Sequence, residues 1–488
     1  MNEIISVIND LVWSRALVVL CLGAGLYFSI RTRFMQVRSI PEMLRCMFSG
    51  EKSAAGVSSF QALTMSLSGR VGAGNIAGVA SAIAFGGPGA VFWMWTVAFL
   101  GASTAFVEST LAQIYKEKDE RGHYRGGPAY YIEKGLGMKW YAWVFAAATI
   151  VAAGFLLPGV QANSIGSAMN TAWGIEPWIT ATCLVAGIGF IIFGGVKRIA
   201  RFAEFVVPFM AIAYILIALL IMVLNIDQVP EVIALIFKSA FGLQAGLGAM
   251  LGMAVEQGVK RGVYSNEAGQ GTAPHAAAAA EVTHPAKQGY VQAFSVYIDT
   301  MLVCSATAFM ILSTGMYSVY NEADDALVNN LPGMEVGPGY TQAAVESVLP
   351  GFGQGFVALA LLFFVFTTII AYYYMAETNI KYINRKIHRP WLVLVLRVGI
   401  LGMVAIGTLN TAGAAWQLGD IGVGLMAWLN IVAILILQKP ALAALRDYER
   451  QRNAGNTRPV FDPKALGIRN AGYWSDRLSE DKKADGKP

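Results

Sequence analysis

The stretch from Ser68 to Ser81 combines an unusually free backbone with polar side chains inside a long apolar run. It reads SGRVGAGNIAGVAS, with glycines at positions 69, 72, 74 and 78 and with Arg70 and Asn75 between them. Glycine weakens a helix by roughly 1 kcal/mol relative to alanine, and polar groups are costly in hydrocarbon. If the helix unwinds here, its freed N–H groups can bind a carboxylate and its freed carbonyl groups can bind a cation. The pattern therefore predicts a ligand-binding interruption in a helix.

A second glycine-rich segment repeats this pattern between Phe241 and Gly271. It reads FGLQAGLGAMLGMAVEQGVKRGVYSNEAGQG, with glycines at positions 242, 246, 248, 252 and 258 and with the polar neighbours Glu256 and Gln257. We predict a second interrupted helix here. For both segments the alternative is close helix packing through small residues, as in GxxxG motifs, which needs no ligand.

The composition indicates that both segments lie in a membrane. Of the 488 residues, 56% are hydrophobic and 14% are charged, whereas soluble domains carry about 25% charged residues. A bilayer core needs about 20 apolar residues per helix. Such stretches occur at eleven places, namely 13–31, 60–85, 88–115, 140–170, 178–196, 202–224, 240–257, 288–316, 352–378, 391–409 and 414–438. Because the ten-residue alternation of an outer-membrane barrel is missing from the sequence, we predict an all-α membrane protein with eleven transmembrane helices.

Basic residues indicate the orientation of these helices. Lysine and arginine are concentrated in every second connection, namely 31–59, 116–139, 195–201, 258–287 and 381–389. By the positive-inside rule these connections are cytoplasmic, so the N-terminus is expected outside and the C-terminal tail in the cytoplasm of a bacterium, with the chain in the inner membrane. The acidic start lacks a cleavage site, so the first span is interpreted as a retained helix. Topology also explains the net charge of +5, and no nucleic-acid partner is expected.

The order of the spans suggests an internal repeat. If span 13–31 is an addition, ten spans remain, and the interrupted ones are the first and the sixth. Two sets of five have opposite topology, an arrangement that forms a binding site at the bilayer midplane. The predicted organisation is an extra helix and loop (1–59), a first repeat (60–224), an inverted second repeat (225–438) and a tail (439–488).

Three motifs carry a family resemblance. The segments VGAGNIAGVASAI (71–83), GGPGAVFWMW (86–95) and GVKRGVYSNEAGQGTAP (258–274) resemble the alanine or glycine:cation symporters. The resemblance implies a five-plus-five inverted-repeat transporter with two broken helices. It implies import of a small neutral amino acid, such as alanine, glycine or D-alanine, with Na⁺ as the coupling ion and without an organic cofactor.

A zwitterionic substrate would need donors for its carboxylate group. The backbone N–H groups of Gly72, Ala73 and Gly74 suit this role, and small side chains let the ligand approach closely. The amide group of Asn75 could contact the substrate or a cation, or it could hold the unwound turn together. The family often has a hydroxyl residue where Ala73 stands, so one hydrogen bond to the ligand would be missing here.

Further substrate contacts are expected on three other spans. Gln161 resembles the family's substrate-binding glutamine, with polar packing as the alternative. Gln257, or its neighbour Glu256, could face the ammonium group at the second interruption. Tyr372 stands where the family frequently has tryptophan and would reshape the roof of the pocket.

The resemblance also implies a Na⁺ site. Thr367 and Thr368, one or both, match the hydroxyl ligands of that site. Carbonyl groups of the first interrupted helix would complete it together with Asn75. Oxygen ligands suit a hard cation. The alternative is that each threonine bonds back to its own helix.

Other readings of the chain remain open. Proton coupling would make a carboxylate such as Glu256 or Asp299 more important than the threonines, and an amino-acid sensor or channel could share the fold. An enzyme is not expected, because HExxH, GxSxG and a Cys/His pair are missing from the sequence. Besides the bilayer and the amino acid, no partner is predicted, and the oligomeric state is open, with a monomer compatible. The tail beyond residue 455 is expected to be flexible.

Several charged residues fall inside the predicted spans. Intramembrane charges are functional candidates by default; they are Arg70, Glu108, Glu204, Asp299, Glu377, Arg397 and Asp420. Arg70 adjoins the presumed site, and a salt bridge or a gate is the role expected of it.

Overall fold

Long apolar runs in this chain form helices because in hydrocarbon a helix satisfies its own backbone hydrogen bonds. The computed structural model describes residues 2–49, 53, 55–194, 196–243, 250–410 and 412–484. Its helices are α1 (Asn2–Val12), α2 (Arg15–Arg31), α3 (Met35–Arg38), α4 (Ile40–Phe48), α5 (Ser59–Arg70), α6 (Val79–Gly86), α7 (Gly89–Ile114), α8 (Pro128–Tyr131), α9 (Lys139–Val151), α10 (Leu157–Trp173), α11 (Pro177–Ile192), α12 (Val196–Leu224), α13 (Val229–Ala240), α14 (Leu251–Asn266), α15 (Ala273–Ala279), α16 (Pro285–Val296), α17 (Ser305–Thr314), α18 (Pro338–Val348), α19 (Gly353–Ile387), α20 (Trp391–Leu409), α21 (Ala412–Ile436), α22 (Gln438–Asn453) and α23 (Gly472–Ala484).

Short irregular elements join these helices. π-Helical turns lie at Gly74–Gly78, Ile132–Leu136, Ala152–Leu156 and Tyr297–Cys304, and a 3₁₀ turn lies at Ile226–Gln228. Two antiparallel hairpins occur, β1 (Glu117–Lys118) with β2 (Tyr124–Arg125) and β3 (Ser318–Tyr320) with β4 (Ala326–Asn329). The first pairs Glu117 with Arg125, and the second pairs Val319 with Val328. The described part of the chain is therefore mostly helical.

Eight segments of the described chain are long and apolar enough to cross a membrane. They are Ile4–Arg31, Gly89–Ile114, Lys139–Trp173, Arg198–Leu224, Pro285–Thr314, Gly353–Ile387, Trp391–Leu409 and Ala415–Ile436. The remaining three of the eleven expected spans are shorter or incompletely described. Span 60–85 is interrupted, α11 has 16 residues, and span 240–257 includes the undescribed residues 244–249. The protein is a multi-pass helical membrane protein, and the count of eleven remains a prediction.

The first interruption lies where the glycines predict it. α5 begins at a capping box, in which Ser58 and Gln61 exchange hydrogen bonds of 3.0 and 3.1 Å, and it ends at Arg70. The helix resumes in the π-helical turn Gly74–Gly78 and continues as α6. The chain between Arg70 and Gly74 is thus the unwound segment.

The second interruption lies further along the chain than expected. α14 continues through Gly252 and Gly258 to Asn266, and Gly246 and Gly248 lie outside the described residues. The helix stops because Glu267 adopts a left-handed conformation (φ 55°), followed by positive φ at two glycines, Gly269 (87°) and Gly271 (83°). It resumes at Ala273 as α15. The break therefore lies inside the predicted segment 241–271, but it is not beside Gln257, which is within α14.

Close packing explains Gly258 and Gly262 inside α14. A Cβ atom added to Gly258 would lie 2.6 Å from the carbonyl oxygen of Ala90, and one added to Gly262 would lie 2.4 Å from a methyl carbon of Val97. Both contacts are with α7. These two glycines, four residues apart, let α14 and α7 approach closely, which is the small-residue packing that the sequence left as the alternative.

The two interrupted helices lie side by side and run in opposite directions. Near the interruptions, a Cβ atom added to Gly74 would lie 3.3 Å from Cα of Ser265. At the far end of α6, one added to Gly86 would lie 2.9 Å from Cβ of Gln257. The two helices are antiparallel, because residues later in α6 lie beside residues earlier in α14. At the opposite ends, Val57 accepts a hydrogen bond from the N–H of Glu281 at 2.8 Å.

Two basic residues that were assigned to a cytoplasmic loop lie inside a helix. Lys260 and Arg261 are buried in α14, and both form salt bridges of 2.9 Å with Asp420 of α21. Paired charges can be buried where isolated ones cannot. Segment 258–266 is therefore helical rather than a loop, and these two residues do not report which side of the membrane is cytoplasmic.

The tail packs against the ends of the helices as far as Arg477, a contact that its composition does not predict. Trp474 is 1% exposed and donates a hydrogen bond from Nε1 to the carbonyl oxygen of Gln113 at 2.8 Å. Arg477 pairs with Glu281 at 2.6 Å, immediately after α15. Composition misled the prediction, because two large aromatic residues, Phe461 and Trp474, are enough to anchor a charged segment to the helix ends.

The charges around Glu281 stabilise its ionised form. Burial by itself would raise the pKa of Glu281, but hydrogen bonds from Ser53 and Tyr124 and the positive charges of Lys116 and Arg477 outweigh it. The pKa of Glu281 is therefore lowered from its usual value. A lowered carboxyl pKa means that this contact contributes stability at neutral pH and loses it as the pH falls through that pKa.

Candidate functional site

Two side-chain amides satisfy the N–H groups of the first interruption. Oδ1 of Asn75 accepts a hydrogen bond from the N–H of Gly72 at 2.8 Å, and Oε1 of Gln161 accepts one from the N–H of Ala73 at 2.9 Å. All four residues are buried. Hydrocarbon cannot pair these N–H groups, so the unwound turn depends on amides from its own helix and from α10.

The carbonyl groups of the same turn meet hydroxyl groups. The side chain of Thr368, on α19, donates to the carbonyl oxygen of Val71 at 3.3 Å and to that of Phe364 at 2.9 Å. Thr307 of α17 donates to the carbonyl oxygen of Asn75 at 2.6 Å. Two oxygen atoms, one from Thr368 and one from Val71, therefore face one another at the interruption.

Thr367 lies away from this contact. Its hydroxyl group bonds to the carbonyl oxygens of Phe363 and Phe364 in its own helix, at 3.1 and 2.8 Å. Neighbouring residues in a helix point about 100° apart, so only one of the two threonines can face α5. The structure brings Thr368 to the interruption and leaves Thr367 in the back-bonded arrangement.

Aromatic residues enclose the interruption on two sides. Tyr372 lies one turn after Thr368 and is buried, and its phenol interacts with the side chains of Gln161 and Glu267. On the other side, Tyr264 packs against Trp416 with ring centroids 5.3 Å apart, and both rings lie near the glycines of the π-helical turn. Sequence reasoning missed Tyr264 and Trp416, because an aromatic residue in an apolar span gives no distinctive signal.

A buried carboxylate joins the two interrupted helices. Asp299 accepts hydrogen bonds from the side chains of Asn75 at 2.6 Å, Ser265 at 3.0 Å and Thr300 at 2.7 Å. The amide of Asn75 therefore bridges the unwound turn and Asp299. Of the three interpretations of Asn75, the contacts made by this side chain match that of holding the turn together.

Gln257 lies at the other end of α6. Its Cβ atom is in the region that a side chain on Gly86 would occupy, whereas Tyr264 and Ser265, two turns further along α14, lie beside Gly74. The structure therefore brings Gly72, Ala73, Gly74, Asn75, Gln161, Thr368 and Tyr372 together. It does not bring Gln257 or Thr367 to the same place.

The second interruption is filled by the protein's own carboxylate. Oε1 and Oε2 of Glu108 accept hydrogen bonds from the N–H groups of Gly269 (3.3 Å) and Gly271 (3.2 Å), and Nδ2 of Asn430 donates to Oε2 at 2.7 Å. Glu108 and Asn430 are fully buried. The intramembrane charge of Glu108 was a signal in the sequence, but its partners are 161 and 322 residues away.

Unpaired polar atoms cluster between the two interruptions. Arg70 donates through Nη1 to the carbonyl oxygen of Gln292 at 3.2 Å and to the hydroxyl group of Ser295. Within the described residues, its Nε and Nη2 atoms have no hydrogen-bond partner, and neither has Oε2 of Glu267. Both side chains are buried. A buried guanidinium with free N–H positions can bind a carboxylate group, whereas the carboxylate of Glu267 already interacts with Thr272 and Tyr372.

The fold and these contacts define a class of protein. A multi-pass helical membrane protein with a buried, unwound helix segment, lined by amide and hydroxyl groups, has the features of a carrier of small polar solutes. The chain belongs to the sodium:alanine symporter family, whose model matches residues 1–463.

Relatives support this assignment over nearly the whole chain. It is 62% identical over 97% of its length to the putative sodium/proton-dependent alanine carrier protein YrbD of Bacillus subtilis, covering 98% of that protein. It is 52% identical over 91% of its length to the sodium/proton-dependent alanine carrier protein of a Bacillus species, covering 100% of it. It is 44% identical over 96% of its length to the probable sodium/glutamine symporter GlnT of Bacillus subtilis, covering 95% of it. The chain is therefore an amino-acid transport protein rather than an enzyme.

Proposed function

We propose that this protein imports small neutral amino acids, such as alanine, glycine or D-alanine, by symport with Na⁺. The observation that carries the proposal is the unwound turn between Arg70 and Gly74, with two N–H groups held by amides and a carbonyl group held by Thr368. The names of the relatives, which include alanine carriers, support the substrate class.

The substrate carboxylate would bind at the first interruption. The second interruption supports this choice, because the carboxylate of Glu108 already occupies its N–H groups. In the first, an uncharged amide oxygen of Gln161 accepts the N–H of Ala73. A carboxylate oxygen makes a stronger hydrogen bond than an amide oxygen. The substrate would take over this N–H group, and the freed amide of Gln161 would turn to bind it.

Close packing around the turn favours a small side chain on the substrate. A Cβ atom on Gly72 would already collide with Thr368 and Gln161. Tyr372 interacts with Gln161, and the ring of Tyr264 lies 3.2 Å from a Cβ atom added to Gly74. Alanine fits these limits better than glutamine, the substrate named for one of the relatives.

The Na⁺ ion would bind between Thr368 and Val71. The hydroxyl oxygen of Thr368 and the carbonyl oxygen of Val71 are 3.3 Å apart. Hydroxyl and carbonyl oxygens are ligands that a hard cation prefers. An ion between them would replace the hydrogen bond and would link α19 to the unwound turn. Substrate and ion would then bind to adjacent groups of one turn, which explains physically how their binding could be coupled.

Proton coupling is the second candidate, and Asp299 favours it. This carboxylate is buried beside the interruption and is bonded to Asn75. Two of the relatives are named as sodium/proton-dependent alanine carrier proteins. Protonation of Asp299 would weaken its hold on Asn75 and on the turn.

Orientation and repeat structure complete the proposal. The antiparallel arrangement of the two interrupted helices agrees with two inverted sets of five helices. The basic connections would then face the cytoplasm of a bacterium, with the N-terminus outside and the tail inside.

Uptake into proteoliposomes tests the coupling ion. We expect labelled alanine to accumulate with an inward Na⁺ gradient and not with K⁺ or a proton gradient alone. Thr368→Val should raise the Na⁺ concentration needed by about 10- to 150-fold, since a hydrogen-bonding group on a charged partner is worth about 1.5–3 kcal/mol. Thr367→Val, one residue away, is the matched control and should behave as the natural protein.

Two results would contradict the proposal. Accumulation driven by protons alone, and abolished by Asp299→Asn but not by Thr368→Val, would assign the coupling to Asp299. Accumulation of glutamine in preference to alanine would contradict the size argument. Counterflow of labelled alanine would separate a carrier from a channel or a sensor.

A further inference from the structure

A cleft lined by arginines lies where α2, α3 and α22 meet, away from the interrupted helices. Its volume is about 410 Å³. Five arginines and one glutamate line it, namely Arg31, Arg33, Arg38, Arg446, Arg450 and Glu449. The cleft therefore carries a strong excess of positive charge.

Part of this charge is compensated within the protein. Arg38 pairs with Glu449 at 2.5 Å and also donates to the carbonyl oxygens of Thr32 and Arg33. Arg450 pairs with Asp447 next to the cleft. These contacts fix the walls of the cleft.

Three other arginines keep their charge available. Within the part of the chain that the structure describes, Arg31, Arg33 and Arg446 form no salt bridge with an acidic residue. Arg31 lies 5.8 Å from the centre of the Tyr27 ring, and Arg446 donates only to the carbonyl oxygen of Leu442, at 3.2 Å. Three like charges around one cleft repel each other, and a bound anion would relieve this repulsion.

The surroundings of the cleft indicate the kind of anion. Arg31 is the last residue of α2, the helix that ends the first membrane-spanning segment, so the cleft is at the level of the membrane surface. Large apolar side chains close in sequence to its arginines are exposed, namely Ile30, Phe34, Val37 and Ile40. A free inorganic anion would leave these apolar side chains exposed, whereas the acyl chains of a lipid would cover them.

We propose that this cleft binds the phosphate headgroup of an anionic phospholipid, with its acyl chains lying along α2 and α3. Basic pockets beside membrane-spanning helices are suited to such headgroups. The arginine fork matches the geometry of a phosphate group better than a point charge does. The site is separate from the substrate site, so its test does not depend on the transported solute.

Retention of lipid by the full-length protein tests the proposal. The purified protein is incubated with phosphatidylglycerol or phosphatidylcholine in detergent, and bound lipid is measured by native mass spectrometry. We expect phosphatidylglycerol to be retained in preference to phosphatidylcholine. The double variant Arg33→Gln with Arg446→Gln should bind it about 30-fold more weakly, at roughly 1 kcal/mol per arginine.

A matched variant separates a specific site from overall charge. Lys464→Gln with Arg469→Gln removes the same charge from exposed positions in the tail and should leave the binding unchanged. Equal retention of both lipids by the natural protein, or equal weakening by both double variants, would overturn the proposal. Displacement of the lipid by inorganic phosphate at similar concentration would assign the cleft to a free anion instead.

Discussion

Replacing Gly72 by alanine tests the geometry of the first interruption. The new Cβ atom would lie 2.6 Å from the hydroxyl oxygen of Thr368 and 2.9 Å from the amide oxygen of Gln161. Both distances are shorter than any normal carbon–oxygen contact, so both side chains must move. Thr368 would leave the carbonyl group of Val71, and Gln161 would leave the N–H of Ala73.

The expected loss follows from overpacking. Extra methyl groups in a packed interior cost about 1–3 kcal/mol, which corresponds to an affinity about 5- to 150-fold weaker if the cost falls on the site. The measurement is isothermal titration of the purified protein with alanine in the presence of Na⁺. Thermal unfolding of the same samples shows whether the variant is folded.

Gly78 supplies the control on the same helix. A Cβ atom there would approach other atoms no closer than 3.9 Å, so Gly78→Ala adds a methyl group without a collision. It should bind alanine as the natural protein does. The reasoning is refuted if Gly72→Ala binds alanine normally, or if Gly78→Ala weakens binding by the same factor.

Three further predictions concern charged and aromatic contacts. Asp420→Asn leaves Lys260 and Arg261 buried without a counter-charge. It should lower the free energy of unfolding by about 3–5 kcal/mol, measured as a lower thermal midpoint. An unchanged midpoint would contradict the buried pairing. Acid should detach the tail from the helix ends. The pKa of Glu281 is lowered, so its contact with Arg477 is lost only as the pH falls below the usual carboxyl range. Hydrogen exchange of residues 472–484 should rise at low pH, and Glu281→Gln should remove this pH dependence. Trp474→Ala should speed hydrogen exchange in the same helix at neutral pH, because Trp474 is buried and truncating a buried tryptophan costs about 3–5 kcal/mol of stability. Normal exchange would mean that the ring does not anchor the helix.

The first interruption was predictable because its cause is local. Glycines at positions 69, 72, 74 and 78 lower helix stability whatever surrounds them. The helix ends at Arg70, as this predicts. The second was misplaced, because similar glycines in α14 serve a different purpose. Gly258 and Gly262 are required by the closeness of α7, which no local pattern records.

Pairing across the membrane was not predictable from the residues alone. Lys260 and Arg261 resemble loop residues until Asp420 is placed 2.9 Å away by another helix. The tail resembles a flexible segment until Trp474 is buried against the end of α7. In both cases the composition of a segment is a local property, whereas its burial depends on another segment that is distant in the sequence.

By itself, the sequence determined that this is a multi-pass helical membrane protein with an unwound turn, and its motifs carried the family. These follow from hydropathy, glycine content and basic loops, which are properties of neighbouring residues. Only the tertiary structure decided that Gln161 rather than Gln257 meets the turn, and that Thr368 rather than Thr367 faces Val71. The physical reason is that a side chain's direction depends on helix rotation and packing, and a shift of one residue turns it by about 100°.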